Sequence, residues 1–155
     1  MTRITNKSDE YIKEVRKLLT SDFSKDLTIH WVYLEFAQLM NYGLSMSFGV
    51  GDNWKTRKLI IRKWNGISHN QLGIYHLDKI QIHEETSNLM LIEANEIQQL
   101  LKKANTEEGN GLVLDGIDYE LTDLKENQTW RWKQESQLNP EFRQITEILK
   151  NNSGI

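Results

Sequence analysis

The chain has 155 residues, 38% hydrophobic and 26% charged, with a net charge of −3, the size of one ordinary domain that can bury a core without covalent staples. It contains no cysteine, which excludes disulfides, thiolate zinc ligation and a cysteine nucleophile. The mild negative charge offers no overall attraction to nucleic acid or to an anionic bilayer, so a backbone-phosphate binder would have to act through a local patch.

The stretch Met1–Glu10 lacks the apolar run of a secretory signal, and a cytoplasmic location with no membrane partner is expected. Asn6 is placed to cap a first helix running to about Thr20, in which Ile12, Val15, Leu18 and Leu19 recur at helical spacing. Thr28–Met40 carries two signals. Ile29, Val32, Tyr33, Phe36 and Met40 form a helical stripe, while the β-branched and aromatic residues of its first half suit a strand; the stripe favours a helix.

From Leu44 the period changes to two. Leu44, Met46, Phe48 and Val50 alternate with Ser45, Ser47 and Gly49, the pattern of a strand with one buried face. Gly49–Asn53 supplies turn residues and Lys58–Trp64 a second strand, hence a hairpin. A longer strand is expected within Gln71–His83 and a short apolar segment at Leu89–Ile92, followed by a helix over about Ala94–Ala104 with Ile97, Leu100 and Leu101 on one side. Leu112–Leu121 is read as a hairpin turning at Asp115-Gly116, because Asp-Gly tolerates the positive φ of a tight turn. Thr129–Lys133 reads as a strand, and Asn139-Pro140 opens a last helix carrying Phe142, Ile145, Ile148 and Leu149. The whole, residues 1–155, is expected to be a single α+β domain: an antiparallel sheet of about five to seven strands with three to four helices packed mainly on one face.

Candidate chemistry is sparse. Of His30, His69, His76 and His83, His76 alone has a suggestive neighbour, since Asp78 shares its face on a strand and could begin a carboxylate–histidine site. An enzyme built on His76 and Asp78 is therefore one reading, against the plainer one of a solvated strand face. Gly49-Val50-Gly51-Asp52 lacks the third glycine and following helix of a dinucleotide loop and reads as a turn. The stretch 54–64 is more suggestive: Lys55, Arg57, Lys58, Arg62 and Lys63 lie between Trp54 and Trp64 with no acid among them, one footprint of single-stranded nucleic-acid binding. Arg131 could extend it. Yet Trp130 and Trp132 alternate with Arg131 and Lys133, as in a strand with one buried face. Glu84, Glu85, Glu93, Glu96, Glu107 and Glu108, then Asp115, Asp118, Glu120, Asp123 and Glu126, make the later part negative. Such a surface suits a basic protein partner, with Tyr119, Trp130 and Trp132 as anchors if exposed.

Leu112-Val113-Leu114-Asp115-Gly116-Ile117-Asp118-Tyr119-Glu120-Leu121, followed by Trp130-Arg131-Trp132 and Asn139-Pro140-Glu141-Phe142, resembles the ending of small uncharacterised bacterial proteins: a DG hairpin, an aromatic strand and a closing amphipathic helix. The resemblance spans about sixty residues, rests on structural positions and brings no active site with it. Some small bacterial domains of this kind are immunity proteins for secreted toxins, an analogy of fold. The expectation is a non-enzymatic protein-interaction domain, of the immunity or inhibitor kind, needing no cofactor and no metal. Its speculative contact residues are Trp54, Arg57, Arg62, Trp64, Tyr119, Trp130 and Trp132.

Overall fold

A computed structural model describes residues 4–37, 42–66, 80–103, 117–132 and 140–153. In chain order they form α1 (Ile4–Thr20), β1 (Thr28–Ala37), β2 (Tyr42–Gly51), β3 (Thr56–Asn65), β4 (Ile82–Asn88), α2 (Leu91–Lys103), β5 (Asp118–Asp123), β6 (Gln128–Trp132) and α3 (Pro140–Ser153). The strands make one six-stranded sheet in the order β4-β3-β2-β1-β5-β6, antiparallel at every pairing. This is the expected α+β architecture.

The stretch expected to be helical, from Thr28, is β1, and its ambiguity has a physical cause. β1 lies inside the sheet between β2 and β5 and every residue from Trp31 to Ala37 is buried. A strand covered on both faces loses the apolar–polar alternation that announces a strand, so its apolar run mimics a helical stripe. Two smaller differences concern segment ends. Asn6 lies inside α1 rather than capping it, and Leu89–Ile92 leads into α2, with Leu89 buried and its three successors exposed. Most of the Gln71–His83 strand, and the Asp115-Gly116 turn with its first strand, lie outside the described residues.

The two faces of the sheet bury different things. On one, Trp31, Tyr33, Leu44, Met46, Phe48, Leu59, Ile61 and Leu121 pack beneath α2, through Ala94, Ile97 and Leu101, and α3, through Phe142, Ile145 and Leu149. On the other, Leu34, Phe36 and Trp64 receive Tyr11, Val15 and Leu19 of α1, an i, i+4, i+8 stripe. Two helices thus share one face and α1 closes part of the second.

That second layer corrects the reading of β2. Ser45 and Ser47 were expected to face solvent, yet both are fully buried. With Gly43, Gly49 and Gly51 they form a row of small side chains across which the end of α1 and the loop after it run in close contact. A Cβ at Gly43 would lie 2.8 Å from Leu19 Cδ1, and Ser45 Oγ donates to Leu19 O at 2.7 Å. Other carbonyls near the end of α1 also find donors: Thr20 Oγ1 on Arg16 O, Ser21 Oγ on Lys17 O and Arg62 on Leu18 O. Asp22, at φ 58°, takes the left-handed conformation that ends a helix.

Candidate protein interface

The hairpin β2–β3 turns through Asp52–Lys55, and Asp52, Asn53 and Trp54 all hold positive φ, 52°, 53° and 71°. For a tryptophan that conformation is strained, at a cost of about 1–2 kcal/mol. Packing holds it there: the Trp54 ring meets His30 edge-on at 5.0 Å and Phe48 at 5.9 Å. Arg57 is tied to the same corner, donating from Nε to Leu89 O at 3.0 Å and from a terminal nitrogen to Trp54 O at 2.6 Å.

Arg62 and Trp64, at the other end of the expected basic and aromatic patch, face inward. Arg62 is 7% exposed. It donates to Leu18 O at 2.8 Å, to Asp22 O at 3.1 Å, to Ser21 O, and to Glu84 Oε1 at 2.7 Å, while its guanidinium lies over the Phe23 ring. Trp64 is buried and stacked on Phe36 at 5.7 Å. Both are therefore committed to the α1 layer, where Arg62 also lines a groove, and the 54–64 hairpin presents no continuous stacking platform. Lys55 and Lys63 remain exposed.

Tyr119, Trp130 and Trp132 do come together, but as core. Tyr119 stacks parallel on Trp132 at 5.7 Å, and Phe142 of α3 packs on both tryptophans at 5.3 Å. Their alternation with exposed Arg131 puts them on the covered face of β6. The two tryptophans are core, while Tyr119 is half-buried against Trp132. His76 and Asp78 fall outside the described residues. Among the described residues no cluster of three or more His, Asp or Glu could hold a metal ion, and no helix is long and apolar enough to cross a membrane.

The residues the sequence reading passed over are Met90, Leu91 and Ile92, which are 60%, 48% and 72% exposed. Leu89 is buried and its N–H donates to Arg57 O at 3.1 Å, so the chain is pinned immediately before three consecutive apolar side chains emerge. The available signal was the α2 stripe of Ala94, Ile97 and Leu101. Ile92, two residues before Ala94, falls on its far side.

Exposed carboxylates lie on the two elements that flank this tip, and Arg57 sits beside it, bonded to Leu89 O. β4 is exposed along nearly all its length, with Glu84 and Glu85 side chains about half exposed, and Glu96 is exposed on α2. On the α1 face, beyond the end of α1, the loop after that helix and strands β3 and β4 bound a groove of about 690 Å³ whose acidic members are Asp22, Asp26, Asp52 and Glu84. Thr56, Thr86, Lys58 and Arg62 also line it. Comparison with protein-family models, with curated proteins and with solved structures gives no match to this chain.

Proposed function

We propose that the chain is a protein-binding module of the immunity or inhibitor kind, which captures a basic partner protein through the Met90–Leu91–Ile92 tip and the carboxylates around it. The exposed tip carries the reading. Three adjacent large apolar side chains held out by a buried neighbour lose hydrophobic free energy until something covers them, and patches of this kind mark contact surfaces. Acidic surroundings select a basic partner and speed its approach, an effect that salt weakens.

Copurification and calorimetry against basic toxin domains, beginning with the one encoded nearest to the chain in its genome, test the proposal. Binding is expected to weaken with added salt and to be lost in a Leu91→Glu, Ile92→Glu double variant whose unfolding midpoint matches that of the parent, since both side chains already stand in water. A double variant that binds as tightly as the parent removes the tip from the interface. Light scattering that finds the free chain dimeric, and the double variant monomeric, assigns the tip to a second copy instead and overturns the reading.

A further inference from the structure

Three elements have an end at the Met90–Leu91–Ile92 tip. β4 stops at Asn88 and α2 starts at Leu91, and hydrogen bonds join both to Asn152, one residue before the end of α3. Side chains standing in water do little to hold such a segment in one place, so its position depends on bonds made from outside it.

Two sets of bonds do this. On one flank Arg57 of β3 engages both backbone groups of Leu89: the Leu89 N–H donates to Arg57 O at 3.1 Å, and Arg57 Nε donates to Leu89 O at 3.0 Å. On the other flank stands Asn152, in the last turn of α3. Its backbone carbonyl accepts from Ser87 Oγ at 2.9 Å. Its side-chain nitrogen donates to Glu93 Oε2 and to Ile148 O, both at 2.8 Å. Ser87 precedes the tip and Glu93 is the residue after Ile92, so a single residue of α3 holds the chain on both sides of the exposed segment.

The chemistry suits an amide at this position. The last carbonyls of a helix have no partner within it and carry the negative end of its dipole, and Glu93 brings a carboxylate towards them. An asparagine amide has two N–H donors. One turns back onto the carbonyl four residues earlier and fixes the rotamer. The other reaches the carboxylate, so two groups that would repel are joined through one NH2. Aspartate here would add a like charge, and alanine would remove both side-chain bonds while leaving the backbone carbonyl to Ser87. Glu93 lies in the first turn of α2, the turn that also carries Leu91 and Ile92, so its bond to Asn152 sets how that turn stands against α3.

We propose that Asn152 is the positioning residue of the tip: through Glu93 and Ser87 it fixes the direction in which Leu91 and Ile92 project, and a partner meets a preformed apolar surface instead of a segment it must first order. The benefit to binding rests on the contact role proposed above for the tip, whereas the way the tip is held rests on these hydrogen bonds alone. Preorganisation of this kind raises affinity by removing the ordering cost from the binding step.

Asn152→Ala in the whole chain tests this, since alanine keeps the end of α3 helical. The free protein is read first. The Ala94 amide, which donates to Met90 O at 2.9 Å, is expected to exchange roughly five- to tenfold faster. The Leu91 and Ile92 methyl groups are expected to gain mobility in relaxation measurements, with the urea midpoint and the β2 amides unchanged. Glu93→Ala is expected to reproduce both changes and to add little when combined with Asn152→Ala, while Glu93→Gln, which keeps an acceptor oxygen, is expected to behave as the parent. Against a basic toxin domain that the parent binds, Asn152→Ala is expected to weaken affinity roughly threefold. Exchange and methyl mobility unchanged by Asn152→Ala overturn the proposal whether or not a partner is found, and so does unchanged affinity in a chain whose tip has loosened. A parent that binds no basic toxin domain sinks the contact role of the tip instead, and exchange in the free chain still decides whether Asn152 positions it.

Discussion

Arg62→Ala separates the two readings of the basic hairpin more sharply than any other substitution. In the structure the guanidinium is a clasp on the end of α1. The bonds to Ser21 and Asp22 carbonyls reach an exposed loop, where water replaces them at little cost. The bond to Leu18 O is part-buried beside the sheet, and its loss is worth about 1.5–3 kcal/mol for a charged donor. The stack on Phe23, centroid distance 4.4 Å, adds about 1 kcal/mol. The pair with Glu84, whose side chain is 49% exposed, adds only about 0.5 kcal/mol because solvent screens it. Together these give about 3–4.5 kcal/mol, or a fall in Tm of roughly 6–18 °C for a chain of this length. Arg62→Lys keeps the charge but not the planar fork, and is expected to lose about half as much. Urea unfolding followed by circular dichroism measures the loss, and hydrogen exchange locates it: α1 amides are expected to lose protection before those of β1 and β2. A shift below about 1 kcal/mol, or α1 protection unchanged, would refute the clasp. Reduced oligonucleotide binding at unchanged stability would instead restore a role for Arg62 at the surface.

Three further outcomes follow from the same packing. Gly43→Ala forces a Cβ to within 2.8 Å of Leu19 Cδ1 and 3.3 Å of Phe36, and is expected to cost about 1–3 kcal/mol in urea unfolding; a neutral result would mean that α1 stands further from the sheet. Trp132→Ala removes the ring shared by Tyr119 and Phe142 and is expected to cost about 3–5 kcal/mol, whereas retention of full stability would show the ring to be peripheral. Tyr33 donates to buried Glu35 at 2.5 Å, and burial first, then the Glu35 charge, raise its pKa well above the ordinary value. Tyr42 is raised for the same reasons. The folded chain therefore holds protons that the unfolded chain gives up above about pH 10, so stability should be intact below that pH and fall as pH rises beyond it. Tyr33→Phe should flatten the alkaline decline, and an unchanged slope in pH-dependent urea unfolding would contradict the assignment.

The local elements whose two faces differ were legible in the chain. Leu44–Val50 alternates because the large side chains of β2 enter the α2–α3 core, and Pro140 with Phe142, Ile145 and Leu149 defines α3 because a helix with one wet face keeps its period. β1 was not legible for the opposite reason: two covered faces erase the pattern. The candidate contact residues divided along the same line. Alternation at Thr129–Trp132 already pointed the tryptophans inward, while nothing local at Arg62 or Trp64 says that a helix some forty residues earlier lies across them.

Composition and periodicity by themselves determined an α+β chain with an antiparallel sheet and the faces its amphipathic elements present. The tertiary structure alone decided that α1 lies across the small-residue face of β2, turning Ser45 and Arg62 into buried caps, and that Leu89 is drawn in while Met90, Leu91 and Ile92 are left out. Burial is a property of what lands on a residue, and residues distant in the chain supply it; local sequence records the side chain's own preference and not its neighbour's arrival.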